Sequence, residues 1–428
     1  MKFENSLEFA QRLDKEDELA NYRNEFIFPK IKGKDAIYFV GNSLGLQPRT
    51  ARKYVDDIMQ DWAELGVEGH FKAEKPWWDY HEKFAAKLAE VVGANPSEVT
   101  VMNTLTVNLH LLMVSFYRPE GKRYKIICEE KAFPSDQYMI SSQVRFHGFK
   151  PEDAIVEIKK RDGEHNFRTE DILRKIDEVG EECALVLIGG VNYYTGQVMD
   201  MDTITKAGHK VGAFVGWDLA HAAGNIELKL SEWNVDFAAW CSYKYMNSGP
   251  GNASGCFINE KYHNKKDIPR FEGWWGHNKE RRFLMEPEFQ PEPNADAWQI
   301  SNAPVLALAP YLASLEMFAE VGMTSLLNKR DKIVAYLEFV LHEIDKDVDS
   351  TFEIITPSEQ KERGTQLSVF LHGEGKDIFN YLMENGVMLD WREPNVIRLA
   401  PAPFYCSYED IYRFGQILKE GILTKNRS

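Results

Sequence analysis

Residues 213–221 read AFVGWDLAH, and residues 237–255 read FAAWCSYKYMNSGPGNASG. Each segment begins as a short apolar run and then changes to polar or glycine-rich residues. An apolar run without polar alternation is typical of a strand buried on both faces, as in parallel sheets covered by helices. The two segments therefore predict strands of an α/β sheet, with Asp218 and Lys244 at the strand ends where such sheets bind ligands.

The same pattern extends from about residue 99 to residue 260. Amphipathic segments separate most of the apolar runs, as in Thr169–Glu182, where Ile172, Ile176 and Val179 share one helical face. Strands that alternate with helices predict a mostly parallel central sheet with helices on both faces. The apolar runs are Val99–Met102, Lys125–Cys128, Ala184–Val191, Ala213–Trp217, Phe237–Tyr243 and Cys256–Ile258.

After Pro304 the pattern changes and predicts a smaller α+β domain. A long helical region reaches about Ile344, with Thr324 as the candidate cap, and a last helix opens with the capping-box-like Ser407-Tyr408-Glu409-Asp410. We expect an N-terminal arm (1–60) that packs with the small domain, a large α/β domain (61–320) and the small domain (321–428). The short strands predicted in the small domain are Glu353–Thr356, Gln366–His372, Val387–Trp391 and Ile397–Leu399, around one helix near Lys376–Asn385.

The overall composition excludes several classes of protein. The 428 residues are 44% hydrophobic and 27% charged, which is typical of a folded globular chain longer than one core usually supports. The 51 Lys and Arg residues against 66 Asp and Glu give a net charge of −15, which disfavours general nucleic-acid binding. Any anionic ligand must therefore be held by a local group of donors.

The five cysteines are scattered and form no Cys-x-x-Cys pair, so neither a disulfide framework nor a metal site is predicted. The first 20 residues lack the apolar core of a signal peptide. The longest apolar run, Val305 to Glu316, is too short to cross a bilayer and contains Pro310. We expect a cytoplasmic protein that does not act on membranes.

Asp218 and Lys244 together indicate one cofactor. Taken singly, each has a common structural interpretation: the aspartate caps the next turn, and the lysine is exposed beside a flexible glycine loop. Taken as a pair, they suit pyridoxal phosphate (PLP), because a lysine amine forms a Schiff base with its aldehyde and a carboxylate keeps its pyridine nitrogen protonated.

Two further segments fit the same cofactor. Leu105 and Thr106 open an apolar helix that runs to about Phe116, and a helix N-terminus binds phosphate through free N–H groups and its dipole. Phe133 follows another apolar run and could stack on a flat ring. The alternatives are an ordinary threonine cap and a core phenylalanine.

At this point the sequence resembles the kynureninase family, within the class V, fold-type-I group of PLP enzymes. The resemblance covers nearly the whole chain, and the tryptophan-rich and Ser-Asn motifs make it specific. The matching segments are Gly41–Leu46, Leu105–His110, Phe133–Asp136, Tyr193–Gln197, Asp218–His221, Trp240–Tyr245, Gly273–His277, Ile300–Asn302 and Ile397–Pro401.

The resemblance implies a role for each matching position. Lys244 would carry the cofactor, Asp218 would pair with the pyridine nitrogen, and Tyr243 would contact the phosphate and take part in proton transfer. The other cofactor contacts implied within the same chain are Leu105, Thr106, Phe133, Pro134, Ser135, Asp136 and His221.

The resemblance also implies a homodimer with composite active sites. Trp274 and Asn302 would reach the cofactor of the partner subunit, and Arg398 would clamp the substrate carboxylate, a task that suits a planar guanidinium. Ser43, His70, Ser301 and again Asn302 are the remaining substrate-binding candidates.

The implied reaction is hydrolysis of L-kynurenine or 3-hydroxy-L-kynurenine to anthranilate or 3-hydroxyanthranilate and L-alanine, a step of tryptophan catabolism and of NAD biosynthesis. The Ser301-Asn302 pair slightly favours the 3-hydroxy substrate. His70 would be the matching histidine of the aryl pocket, although a surface histidine is an equal alternative.

Two other functions stay open from the sequence. Another class V reaction, that of an aminotransferase or a cysteine desulfurase, would use the same Lys244 and Asp218, and a non-catalytic binding scaffold would have lost one of them. One position departs from the family: Gly189 stands where a serine is common, so a cofactor or water contact is expected to be missing there.

Overall fold

The computed structural model of the chain describes residues 2–348, 352–373 and 375–425. The α-helices are Leu7–Glu16 (α1), Ala51–Leu65 (α2), Gly69–Lys72 (α3), Glu82–Val92 (α4), Leu105–Phe116 (α5), Pro134–Phe146 (α6), Pro151–Ala154 (α7), Thr169–Val179 (α8), Met201–Lys210 (α9), Val305–Val321 (α10), Met323–Asp347 (α11), Gly375–Glu384 (α12) and Tyr408–Lys425 (α13). The strands are Phe26–Ile27 (β1), Lys30–Ile31 (β2), Lys34–Asp35 (β3), Ile37–Tyr38 (β4), Gln47–Pro48 (β5), Val99–Met102 (β6), Lys125–Glu129 (β7), Ile155–Ile158 (β8), Cys183–Gly189 (β9), Phe214–Asp218 (β10), Phe237–Trp240 (β11), Ser254–Ile258 (β12), Phe352–Ile354 (β13), Leu367–Leu371 (β14), Val387–Met388 (β15), Asp390–Arg392 (β16) and Val396–Leu399 (β17).

A seven-stranded sheet forms the centre of the large domain, in the order β6-β12-β11-β10-β9-β7-β8. Its neighbouring strands are parallel except at β12, which runs antiparallel to both β11 and β6. The predicted α/β fold with a mostly parallel sheet is confirmed. The carboxyl ends of β6, β7, β9, β10 and β11 therefore meet at one edge, where the candidate residues follow them.

Two details of this sheet differ from the sequence prediction. The edge strand β8 was not predicted, because its Ile155 and Val156 are only partly buried and its Glu157 is exposed, so that it gives no continuous buried apolar run. The predicted strand ending at Tyr243 stops instead at Trp240, where the Ser242 hydroxyl contacts the Ser248 hydroxyl (2.6 Å) and donates to the Ala253 carbonyl (2.5 Å). Lys244 consequently lies in a turn and does not end the strand.

The long helical region predicted after Pro304 is two helices, not one. The chain breaks at Gly322, whose φ of 75° suits glycine, and Gly322 rather than Thr324 precedes the first turn of α11. Among the described residues, no single helix has the length and apolar composition to cross a membrane. The pair α10 and α11 meets that test only when counted together, and it is bent by 84°.

The small domain contains an antiparallel sheet in the order β13-β14-β17-β16. The predicted strand Val387–Trp391 is divided, since β15 pairs with β4 and β16 pairs with β17. The capping box at α13 is confirmed: the Ser407 hydroxyl accepts a hydrogen bond from the Asp410 amide and the Asp410 carboxylate accepts one from the Ser407 amide, both at 3.0 Å.

The N-terminal segment lies against this small domain. The Asp14 carboxylate accepts hydrogen bonds from the amides of Tyr408 and Glu409 at 2.7 and 3.0 Å, at the positive end of the α13 dipole. Asp17 forms a buried ion pair with Lys329 at 2.7 Å. The division into residues 1–60, 61–320 and 321–428 stays a prediction, and residues 426–428 lie outside the described part of the chain.

Candidate active site

A cavity of about 560 Å³ lies at the carboxyl edge of the central sheet, where the N-terminal segment and the small domain meet it. Both charged strand-end residues singled out in the sequence, Asp218 and Lys244, are in its wall. The other lining residues are Asn42, Ser43, Thr104, Leu105, Thr106, Glu129, Phe133, Ser135, Asp136, Gly189, Val191, Tyr193, Ala220, His221, Cys241, Tyr243, Gly251, Arg392 and Arg398.

The turn that carries Lys244 is fixed by the N-terminal segment. The Gly45 amide donates to the Tyr243 carbonyl at 2.8 Å. A Cβ atom on Gly45 would lie 2.5 Å from the Lys244 carbonyl oxygen and 2.1 Å from Asn247 Oδ1, so only glycine permits this approach. Gly45 therefore matters because it lets the loop of residues 41–46 hold the lysine turn in place.

Asp218 and Asp136 form a carboxyl pair in the cavity wall. Asp218 ends β10 and its Oδ1 accepts a hydrogen bond from the Ala220 amide at 2.6 Å. Asp136 lies in the first turn of α6, and burial together with the Asp218 charge and hydrogen bond raises its pKa well above the usual range. Asp136 Oδ1 is buried without a partner. The pair therefore retains a proton and still offers an acceptor.

His221 supplies a neutral ring to the same wall. Its side chain is buried, and burial lowers its pKa well below the usual value, with the Lys244 and Arg398 charges acting in the same direction. Its Nδ1 atom is buried without a hydrogen-bond partner. A neutral imidazole with an unused nitrogen suits a ligand with a flat polar ring.

The N-terminus of α5 forms an anion seat in the cavity. Thr104, Leu105 and Thr106 line it, and Thr104 precedes the helix without capping it through its side chain. The first N–H groups of a helix have no partner within the helix, and together with the helix dipole they attract an anion. The sequence prediction of a helix opening at Leu105 is confirmed. Thr106, whose alternative role was an ordinary N-cap, lies inside the first turn of α5 and is not the cap.

Phe133 is a partly exposed aromatic residue and not part of the core. It precedes α6 and 42% of its surface is accessible, with its ring centroid 5.3 Å from that of Tyr193. Ser135 also lines the cavity, whereas its neighbour Pro134 is not among the lining residues. A flat ligand bound between Phe133 and the sheet edge could stack on the aromatic ring of Phe133.

Arg398 brings a buried positive charge from the small domain. It is 1% exposed, and its Nη1 donates to the Tyr193 carbonyl at 2.6 Å while Nη2 pairs with Asp390. Arg392 pairs with the same Asp390 at 3.2 Å and also lines the cavity. Two guanidinium groups share one carboxylate, so a net positive charge remains for a ligand carboxylate.

The structure adds several residues to this wall that the sequence did not single out as ligands. Their side chains are charged, aromatic or thiol groups. They are brought into the wall by contacts with segments far away in the sequence, so no local motif predicts them. These residues are Glu129, Cys241, Tyr193 and Arg392. Within the ranges that the structure describes, no group of three or more His, Cys, Asp or Glu side chains could hold a metal ion.

Besides Pro134, four predicted site residues lie outside the cavity of their own chain. His70 and Asn302 line a second, mostly apolar groove of about 470 Å³, and Ser301, next in sequence to Asn302, is exposed. Trp274 is 44% exposed, and its ring centroid lies 6.3 Å from that of Trp78. The structure brings His70 and Asn302 together without placing them beside Lys244.

Comparison with known proteins assigns the chain to a family. Residues 330–418 match the family described as "Kynureninase C-terminal domain". Over 425 residues, the chain is 84% identical to the kynureninase of Christiangramia forsetii, and the match covers 99% of this chain and all of that relative.

The chain belongs to the kynureninase family.

Solved structures with the same fold include enzymes of other activity. The cysteine desulfurase of Thermococcus onnurineus has a TM-score of 0.73 and 17% identity, over 91% of this chain and 95% of that one. C-DES with glycine covalently linked to its PLP cofactor has a TM-score of 0.74 and 16% identity, over 90% of this chain and 96% of that one. At this identity the likeness shows only the fold.

The cysteines of this kynureninase-family chain do not suit a desulfurase. All five are buried, and burial raises the pKa of each thiol. Desulfurase chemistry needs a reactive thiolate on a mobile segment. Burial opposes thiolate formation here and outweighs the opposite effect of the Lys244 charge on Cys241. Cys241, the one in the cavity wall, lies beside the Tyr243 hydroxyl.

Proposed function

We propose that this chain is a kynureninase that uses PLP to hydrolyse L-kynurenine or 3-hydroxy-L-kynurenine to anthranilate or 3-hydroxyanthranilate and L-alanine. The observation that carries this proposal is one cavity with a lysine, a strand-end carboxylate, an anion seat and a buried arginine, in a chain of the kynureninase family. A cytoplasmic location, in keeping with the scattered unpaired cysteines, is part of the same proposal.

The residues present fit PLP. The free N–H groups at α5 suit its phosphate, and two buried polar atoms without partners, Asp136 Oδ1 and His221 Nδ1, lie in residues that line the cavity. When bound, PLP supplies an electron-accepting ring that stabilises negative charge on the adjoining carbon atoms of an amino-acid substrate.

We assign the proton-handling roles to three side chains. Lys244 Nζ would hold the cofactor and would then take the proton from the substrate Cα. Asp218 would hold the proton on the pyridine nitrogen, and the Ala220 amide orients the Asp218 carboxylate by donating to its Oδ1. The Tyr243 hydroxyl stays protonated because burial raises its pKa, so it can donate a hydrogen bond to the phosphate or to a reacting oxygen.

Binding of the amino-acid end of the substrate falls to the small domain. Arg398 Nε is buried without a partner, and its position in the cavity wall suits the substrate carboxylate. Its bond to the Tyr193 carbonyl orients the guanidinium.

The proposed homodimer with composite sites is supported by the exposed apolar surface. Around the groove that holds His70 and Asn302, Trp62, Phe71 and Leu306 are 57%, 57% and 43% exposed. Exposed patches of this kind are typical of protein interfaces. In such a dimer Trp274 and Asn302 would complete the partner's cavity. A second exposed apolar group, Trp274, Phe283, Leu284 and Met285, is available for the same interface.

Mixed dimers test this arrangement. Lys244→Ala subunits and Trp274→Ala/Asn302→Ala subunits should each be nearly inactive alone, since each pure dimer lacks one half of both sites. Random reassociation should restore about a quarter of the parent activity, because half of the dimers then contain one intact site. Anthranilate fluorescence measures the recovery. No recovery, despite subunit exchange seen by native mass spectrometry, would contradict composite sites.

Turnover of the two substrates tests the function and its finer specificity. We expect alanine release from both, with higher catalytic efficiency on 3-hydroxy-L-kynurenine, because His70 and Asn302 share one groove and offer polar partners for the ring hydroxyl. One such hydrogen bond contributes about 1 kcal/mol, or roughly fivefold in efficiency. His70→Ala should lower the preference. Protein that stays colourless with PLP would indicate a non-catalytic scaffold, and a clear preference for kynurenine would reverse the specificity.

A further inference from the structure

Glu129 is a buried carboxyl group in the cavity wall to which the mechanism above gives no role. It is the last residue of β7, and it is 6% exposed. Its two carboxyl oxygens accept the Gly189 amide hydrogen at 3.2 and 3.4 Å. Since β7 and β10 flank β9 in the sheet, and Gly189 is in register with Asp218, Glu129 lies at the same strand edge as the cofactor-pairing candidate.

Gly189 and Glu129 fit each other. A Cβ atom on Gly189 would lie 3.1 Å from Glu129 Oε1, tighter than ordinary contact. The missing side chain at position 189 thus leaves room for the carboxyl group against the strand. At the position where the sequence departs from the family, the Gly189 amide donates to the Glu129 carboxyl group.

The surroundings of Glu129 are mainly acidic. The carboxyl groups of Asp218 on β10 and Asp136 on α6 repel a negative charge on Glu129. The partly buried Lys160, in the segment after β8, attracts that charge. Tyr193 faces it from the loop after β9, and Cys128 precedes it on β7. Burial raises the pKa of Glu129 to about 7, with the Asp218 charge acting in the same direction. Three ionised carboxyl groups in one buried cavity would repel each other strongly.

We propose, on the basis of the proposed function, that Glu129 is a positioning residue: its carboxyl group, held by the Gly189 amide, sets the negative charge that the Asp136–Asp218 pair presents to the cofactor. Below neutral pH Glu129 is uncharged and the pair carries the local negative charge alone. As pH rises through neutrality Glu129 ionises, and the added charge strengthens proton binding by Asp136 and by the ring nitrogen.

The test is a pH titration of the visible absorption of the PLP-loaded enzyme. The parent should show a transition with its midpoint near 7, and Glu129→Gln should lose it, because the amide accepts the Gly189 hydrogen but cannot ionise. Glu157→Gln, the same change on the exposed residue of β8, should behave as the parent. An unchanged transition in Glu129→Gln, or its loss in Glu157→Gln, would overturn the proposal.

A second variant leaves Glu129 in place and keeps the test decisive if Glu129→Gln does not fold. In the parent, the hydrogen bond from the Gly189 amide lowers the pKa of Glu129. The alanine Cβ in Gly189→Ala should press on Glu129 Oε1 and weaken that hydrogen bond. The pKa of Glu129 should then rise, and the midpoint should move to higher pH. An unmoved midpoint would overturn the proposal. Failure of the parent to bind PLP would overturn the proposed function as well, whereas an active parent with unresponsive variants overturns only the role of Glu129.

Discussion

Replacing Lys244 by alanine is expected to lower the rate of kynurenine hydrolysis by about 10⁴-fold or more. The variant loses both the amine that holds the cofactor and the base that takes the substrate Cα proton. The fold should persist, because the turn is held by backbone contacts such as the Gly45 amide on the Tyr243 carbonyl. Anthranilate fluorescence gives the rate, and the visible spectrum shows whether PLP is still bound covalently.

The matched control is Lys206→Ala. Lys206 lies on α9, pairs with Asp202 at 2.6 Å on the exposed helix surface and takes no part in the cavity. Exposed pairs of this kind contribute less than about 1 kcal/mol, so activity and thermal midpoint should stay close to those of the parent. Parent-like turnover by Lys244→Ala, with Lys206→Ala also unchanged, would remove the basis of the proposed function.

The sequence predicts most of the central sheet because its strands are buried on both faces. Each of the runs at β6, β7, β9, β10, β11 and β12 overlaps an observed strand. The edge strand β8 escapes prediction, since its side chains are half exposed and its pairing with β7 is a long-range event. The prediction of Thr324 as a helix cap was wrong, because the helix breaks at Gly322. The polarity of the neighbouring residues does not show where a helix bends.

The site is predicted less completely than the sheet. Asp218 and the α5 N-terminus follow from their positions at a strand end and a helix start. Lys244 was found by the same reasoning, although it lies in the turn after β11 and not at the strand end. Glu129 carries no such signal, because a glutamate followed by Glu130 and Lys131 is typical of a solvated strand end. Its burial is visible only in the folded chain, where Gly189 leaves room for the carboxyl group.

The contacts of His70, Ser301 and Asn302 within one chain do not show the substrate-binding role that their motif predicts. Their sequence motif indicates a substrate pocket, yet within one subunit they lie on an exposed apolar groove or beside it. A motif that contributes to a partner's cavity has no contact in its own chain by which it can be recognised. Neither the hydrophobic periodicity of the sequence nor the cavity of one subunit shows whether these residues complete a partner's cavity. The mixed-dimer experiment tests this directly.

The cavity depends on the docking of separate parts of the chain. Lys244 comes from the turn after β11 of the central sheet, Arg398 from β17 of the four-stranded sheet, and the loop of residues 41–46 from the N-terminal segment. The Arg398 bond to the Tyr193 carbonyl and the Gly45 bond to the Tyr243 carbonyl cross these boundaries. Substitutions at such contacts should change substrate binding without touching the reacting atoms.

Replacing Asp218 by asparagine is the second change with a large expected effect, a loss of roughly 10²–10⁴-fold in turnover. Asparagine keeps an oxygen for the Ala220 amide, so the fold is retained, but the charge that holds the ring-nitrogen proton is gone. Asp136→Asn is the matched control. Burial and the Asp218 charge raise the pKa of Asp136 well above its usual range, which favours its uncharged form, so this change should cost much less activity. Steady-state turnover at saturating PLP distinguishes the two. A larger loss in Asp136→Asn than in Asp218→Asn would exchange the roles of the two carboxyl groups.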